Sequence, residues 1–255
     1  MSLKEIEKLL LETLVSEEVL AALENDPRSG ARQIADAFRA RQQRNTQEEQ
    51  RLENLFRLEK ELWQQDFRMI AGVDEAGIGP LAGPVVAAAA ILPQEFCRIE
   101  GLNDSKKISD PRRREELEIE IKKIALAWSV GQADVDEIDR LNIYHAGLLA
   151  MRRAVDGLKI RPDYLLVDAR AISDCAIPQR GVIHGDALSA SIAAASIIAK
   201  TARDRIMLEI DARYPEYGFA AHKGYPTPEH LEALKKFGAL PIHRKSFAPV
   251  KQYLV

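Results

Sequence analysis

The stretch MIAGVDEAGIGPLAGPVVAAAAIL, residues 69–92, constrains the fold more than any other part of this chain. A short apolar run, Met69-Ile70-Ala71-Gly72-Val73, ends in two adjacent carboxylates, Asp74 and Glu75. Gly77, Gly79, Pro80 and Gly83 follow, and then a second apolar run, Val85 to Leu92. Neighbouring residues of a strand point to opposite faces, so one acid enters a site directly and the other reaches it by twist or through water. Like charges held close raise each other's pKa, a cost that a divalent cation removes. Glycines behind the acids let a backbone approach a ligand with no Cβ in the way. The same glycines partly match the dinucleotide fingerprint G-x-G-x-x-G/A, which needs a helix immediately after it. Pro80 and Pro84 flank this turn, and an acid pair before it repels a pyrophosphate, so the nucleotide-cofactor reading is set aside. The run VVAAAAIL opens on two β-branched residues and ends at Pro93, and it is read as a buried strand, although its alanines also allow a helix.

Residues 2–65 read as helices. Asn25-Asp26-Pro27-Arg28-Ser29-Gly30 is a turn cluster. Thr46-Gln47-Glu48-Glu49 has the form of a capping box and is expected to open a helix carrying Leu52, Leu55, Phe56, Leu62 and Trp63. From about residue 67 the pattern changes. Strands are expected near 68–75, 84–92, 125–132, 163–168 and 180–184. Asp110-Pro111 starts a helix with Leu117, Ile121 and Ile124 on its apolar face. Further helices are expected over 142–158, from Ser189 to about Arg213, and over 228–237. The small-residue run SASIAAASIIAK suits a helix lying close on a sheet. The fold class is α/β, a mixed sheet flanked by helices. Residues 1–66 form an N-terminal helical extension, and 67–255 form the main domain with a C-terminal helical region.

Hydrophobic content of 46% and charged content of 29% suit a globular chain. No apolar run reaches the roughly 20 residues of a membrane span. MSLKEIEKLLLETL carries acids throughout and no cleavage-site pattern, so no signal peptide is read. Cys97 and Cys175 make no zinc cluster and are read as free thiols. The expectation is a cytoplasmic monomer. The net charge of −3 is unevenly spread: residues 219–255 hold six basic and two acidic side chains, a surface suited to phosphates.

The first segment resembles the signature of ribonuclease HII, usually written G-x-D-E-A-G-R-G-P-L-A-G-P-V. Other pieces similar to that family follow in order: GLNDSKKIS at 101–109, YLLVDA at 164–169, GDALSASIAAASIIAKTARD at 185–204, HKGYPT at 222–227 and HRKSF at 243–247. The resemblance spans about 68–250. One position departs, because Ile78 stands where the family has arginine.

The resemblance implies a ribonuclease H-like mixed sheet with antiparallel strands leading. It implies a catalytic and metal-binding set of Asp74, Glu75, Asp168 and Asp186. Asp168 ends the apolar run Tyr164-Leu165-Leu166-Val167, and Asp186 precedes the small-residue helix. An all-carboxylate set with no Cys or His beside it suits Mg²⁺ or Mn²⁺. Such a site serves in-line attack of water on a phosphodiester. The family likeness further implies substrate contacts at Gly77, Ile78 and Gly79, at Asn103, Ser105, Lys106 and Lys107, and at Tyr225, whose ring packs on the sugar next to a ribonucleotide. The 2′-OH is the group that separates RNA from DNA. Isoleucine at 78 cannot grip a phosphate as an arginine fork does. The expected function is an endoribonuclease acting on RNA/DNA hybrids and 5′ of single ribonucleotides in duplex DNA, leaving 3′-hydroxyl and 5′-phosphate ends. The alternatives are a type-3 ribonuclease H, whose glycine loop also lacks that arginine, and a hybrid-binding protein that does not cleave.

Overall fold

A computed structural model describes residues 1–12, 15–94, 99–105 and 108–254. The chain divides into two compact units, Met1–Arg51 and Leu52–Val255.

The first unit holds α1 (Leu3–Glu12), α2 (Glu17–Glu24) and most of α3 (Ser29–Leu55). Ser16 caps α2 by accepting from the N–H of Val19, and Asn25 ends it. Ile6, Leu10, Leu20 and Ala31 are buried together, with Ile34 and Phe38 packed at their edge. The capping-box expectation at Thr46 is corrected. α3 runs unbroken through that point, and the Thr46 hydroxyl donates back to the carbonyl of Gln42 at 3.1 Å. Residues 31–55 contain neither glycine nor proline, so nothing ends the earlier helix there.

The second unit begins at the end of α3 and continues through α4 (Arg57–Trp63), β1 (Ile70–Ala76), β2 (Val85–Ile91), α5 (Pro111–Ile124), β3 (Ala127–Ala133), α6 (Val135–Leu141) and α7 (Ile143–Asp156). It then runs through β4 (Tyr164–Asp168), β5 (Gln179–Val182), α8 (Ala190–Arg213), α9 (Phe219–His222), α10 (Pro228–Phe237) and α11 (Ala248–Lys251). Among the described residues the strands form one sheet in the order β3-β2-β1-β4-β5. The β1–β2 and β2–β3 pairs are antiparallel, and β1–β4 and β4–β5 are parallel. VVAAAAI is a strand, buried along its whole length.

Alternation sorts the side chains between two layers. Val85, Ala87, Ala89 and Ile91 pack with Ala71, Val73 and the residues of α7. Ala88 and Ala90 pack with the alanine-rich half of α8 and with Leu117 and Ile121 of α5. Small residues let α8 sit low on the sheet. At Gly72 the approach is closest, where a Cβ would overlap the main chain of Ser191 and Ile192. Asp110 caps α5 through the N–H of Arg112 at 3.0 Å, with Pro111 in the first turn. The sequence reading had no counterpart for α6, which Asp134 and Glu137 close with a capping box. No described helix is long and apolar enough to cross a membrane.

Candidate active site

Asp74 and Asp168 come together because of register. Val73 pairs with Val167 in the parallel β1–β4 ladder, so the next residue on each strand is an aspartate. Neighbouring strands lie about 4.8 Å apart, which leaves two carboxylates side by side at one edge of the sheet. Asp74 turns toward α8 and is buried at 4% exposure. Its Oδ1 accepts from the N–H of Glu75 at 2.7 Å. Glu75 turns to the other face, where Arg170 Nη2 donates to its Oε1 at 3.2 Å and lies over the ring of Tyr144. Burial, and then the charges of Glu75 and Asp168, push the Asp74 carboxyl well above the usual range. That is the electrostatic condition of a site built to share positive charge.

Asp74, Glu75, Gly77, Ile78, Gly79, Ser105, Asp168 and Tyr225, all expected site residues, line one cavity of about 200 Å³. Ser196, Lys200 and Arg203 line it too. Ser105 is buried, its hydroxyl 2.9 Å from that of Ser196. Asp186 is not in the lining. It is buried, one residue past Gly185, whose N–H donates to Asp168 Oδ1 at 2.8 Å. Asn103 is also outside the lining, and its Oδ1 accepts from the N–H of Asp104 at 2.9 Å. Lys106 and Lys107 lie outside the described residues. Ile78 is half-buried against the α7 side, its Cδ1 3.4 Å from the point where Gly147 would carry a Cβ.

The glycine turn is held by two arginines that the sequence reading missed. Arg244 Nη2 donates to the carbonyl of Gly77 at 2.6 Å, Nη1 to that of Ile78 at 2.9 Å, and Nε to that of Gly83 at 3.0 Å. Arg203 donates to the carbonyls of Pro84 and Ala82, both at 3.1 Å. Both are almost fully buried. Burial pulls both guanidiniums below the usual arginine range, and the charge of Arg203 lowers Arg244 further. Charge-assisted bonds to carbonyls, about 1.5–3 kcal/mol each, offset that cost. One signal was available: Ser196, Lys200 and Arg203 recur at i, i+4 and i+7, one face of α8. Arg244 lay within HRKSF, one of the family-like stretches, but nothing there pointed to its carbonyl partners.

The donors present suit a hard cation. They are carboxylate oxygens, crowded and partly buried, with no sulfur or imidazole among the cavity residues. Among the described residues no three carboxylate, imidazole or thiol groups converge closely enough to hold a metal ion by themselves. A cation held there would keep open positions for water and substrate.

The ribonuclease HII family profile matches residues 71–250, and a profile of the ribonuclease HII N-terminal domain matches residues 2–63. Ribonuclease HII of Myxococcus xanthus is 63% identical over 236 residues, 92% of this chain and 80% of that protein. Ribonuclease HII of Desulfitobacterium hafniense is 53% identical over all of this chain and 96% of its own length. The crystal structure of ribonuclease H2 from Pyrococcus horikoshii superposes with a TM-score of 0.64 at 26% identity, covering 72% of this chain and 96% of that one.

Proposed function

The chain belongs to the ribonuclease HII family and is a type 2 ribonuclease H, an endonuclease of RNA/DNA hybrids, and from that premise we propose that the cavity at the β1–β4 edge is its catalytic centre. We read its finer activity as incision 5′ of single ribonucleotides embedded in duplex DNA, leaving 3′-hydroxyl and 5′-phosphate ends. The observation that carries this is one cavity lined by crowded carboxylates, a glycine turn and an exposed tyrosine.

Asp74, Glu75, Asp168 and Asp186 would hold Mg²⁺ or Mn²⁺. A divalent cation there supplies Lewis acidity and neutralises charge on the phosphoryl group under attack. The chain's own residues do the rest. Arg203 and Arg244 fix the turn, so its main-chain groups meet a ribose without reorganising. Reading a 2′-hydroxyl by fixed donors and acceptors discriminates strongly, because a deoxyribose leaves them unpaired. Across the cavity, Tyr225 Cε1 stands 3.6 Å from the point where Gly79 would carry a Cβ. Ring and turn are therefore nearly in contact, and a sugar packed on the ring would meet the turn at its edge. Ser105, Asn103 and Lys106 are proposed phosphate contacts, and residues 1–66 a helical appendage to a catalytic domain of 67–255.

The test is a nicking assay on duplex DNA with one central ribonucleotide, beside a continuous hybrid, over a Mg²⁺ and Mn²⁺ titration with the ends mapped. Cation-dependent cleavage 5′ of the ribonucleotide is expected. Cleavage of the hybrid alone would overturn the finer reading, and cleavage in chelator would overturn the metal role.

A further inference from the structure

Tyr225 stands at the mouth of the cavity, 43% exposed. The peptide unit after it joins Pro226 and has no N–H, so its carbonyl is the one polar handle by which that plane can be held. Both lone pairs of this oxygen are engaged. The N–H of Thr227 donates to it at 2.8 Å, and His230 Nδ1 lies 2.9 Å away. His230 Nε2 is 3.0 Å from Nε2 of His243, and His243 Nδ1 is 2.8 Å from the N–H of Leu240. Both imidazoles are fully buried.

The two ends fix the direction of this chain. A main-chain N–H only donates and a carbonyl only accepts, so His243 Nδ1 is bare and His230 Nδ1 carries a proton. One proton then lies between the facing Nε2 atoms, and neutral His243 contributes it. The two rings are neutral and in opposite tautomers. Burial holds both below the usual histidine range, His243 at about 4, which keeps the arrangement intact at neutral pH. His222 stacks on His230 at 4.5 Å, and its own nitrogens are committed to the N–H of Gly224 and the carbonyl of Tyr217. The rings of Tyr217 and Phe219 cover His243.

The neighbouring residue holds the opposite wall. Arg244 carries the carbonyls of Gly77 and Ile78, and its N–H donates to Leu81 at 2.8 Å. Ala82 bridges His243, and the N–H of Leu81 donates to Gly224 at 2.8 Å. Two consecutive residues therefore reach the two walls of the cavity, one through a histidine pair and one directly.

We propose that His243, acting through His230, is a positioning residue for Tyr225, and that the His243–Arg244 step sets how that ring is placed against the glycine turn. The placement in turn sets the preference for a single ribonucleotide over continuous RNA. The proposal rests on Tyr225 as the sensor of the ribonucleotide junction. His243→Phe keeps the bulk and removes the relay, whereas His243→Gln keeps a donor near the Nε2 position. The readout is the ratio of kcat/KM on the single-ribonucleotide duplex to that on the continuous hybrid. It is measured for the parent, both variants, Tyr225→Ala and the Tyr225→Ala/His243→Phe double variant.

His243→Phe is expected to lower the ratio about fivefold, the scale of one lost hydrogen bond. His243→Gln should recover most of it, and His243→Phe should add nothing once Tyr225 is alanine. A parent-like ratio in Tyr225→Ala would overturn the sensor reading and the proposal with it. A lowered ratio in Tyr225→Ala beside a parent-like His243→Phe, or full additivity in the double variant, would overturn the positioning role alone. A second measurement needs no variant. Imidazole ¹⁵N spectra of the parent at pH 7 should show His243 protonated on Nε2 and His230 on Nδ1, and the same tautomer in both, or an imidazolium, would refute the relay.

Discussion

Gly224→Ala tests how tightly the Tyr225 loop is wedged against the glycine turn. Gly224 has φ +84, and a Cβ on it would sit 2.7 Å from the carbonyl oxygen of Ala82. Ordinary contact begins at about 3.4 Å, so loop and turn must part by about 0.7 Å. Overpacking of that kind costs about 1–3 kcal/mol. Positive φ adds about 1–2 kcal/mol for a residue with a Cβ. Gly218→Ala separates the two costs. Gly218 has φ 71 and ψ 33, and the nearest atom to its Cβ would be His222 Nε2 at 3.8 Å, ordinary contact. A domain of this size loses about 2–4 °C in Tm per kcal/mol. Gly218→Ala is expected to lower Tm by about 2–8 °C, and Gly224→Ala by about 2–12 °C more. The wedge also carries Tyr225, because the carbonyl of Gly224 receives the N–H of Leu81. Misplacement by about 1 Å can cost about a hundredfold in rate, so a 0.7 Å opening should slow ribonucleotide incision roughly tenfold in Gly224→Ala and little in Gly218→Ala. Calorimetry and the nicking assay on the same preparations decide it. Equal melting of the two variants with parent-like incision in both would refute the wedge.

Asp74→Asn should reduce cleavage to below roughly a tenth of the parent rate, at least about 1.4 kcal/mol in barrier, while the cation-free protein melts higher because a buried charge crowded by Glu75 and Asp168 is gone; a parent-like rate would remove Asp74 from the essential set. Ile78→Arg should tighten substrate binding in Ca²⁺ and steepen its salt dependence by about 0.9 on double-logarithmic axes; an unchanged slope would mean that residue 78 stays on the α7 side, next to Gly147. His243 binds its proton near pH 6.5 when unfolded and near 4 when folded, so the unfolded state holds more protons between those limits. Its contribution to stability should be flat above about pH 7 and fall by about 1.4 kcal/mol per unit as pH drops from about 6.5 to 4. Urea melts at pH 7, 6 and 5 should show a shallower fall for His243→Gln, and identical slopes would contradict the buried neutral ring.

Most strands were legible because their apolar runs are bounded by glycine, proline or acid, and Asp74 and Asp168 stood out because each closes such a run. Thr46 misled because a capping box and the interior of a polar helix contain the same residues; only a breaker between 31 and 55 would have told them apart, and none is present. The helix Val135–Leu141 follows β3 directly, and its short polar pattern carries little periodicity. Arg203 was hidden for another reason. In TARDRIM it looks like any arginine on a helix surface, yet it is 1% exposed.

What buries Arg203 is a partner 119–121 residues away, the carbonyls of Ala82 and Pro84, and Arg244 reaches back 160–167 residues in the same way. Periodicity reports which face of an element is apolar, and it carries nothing about such pairings. A turn rich in glycine and proline has few side chains of its own with which to hold its shape. Its carbonyls face inward, and an inward carbonyl without a donor costs about 1–3 kcal/mol. Guanidinium forks fit that need, since each offers five donors in a rigid plane. The sequence therefore displays the groups proposed to meet substrate and conceals those that hold the turn still. Substitutions at Arg203 or Arg244 should accordingly disturb the glycine turn before they disturb Asp74 and Asp168, which the β1–β4 register places.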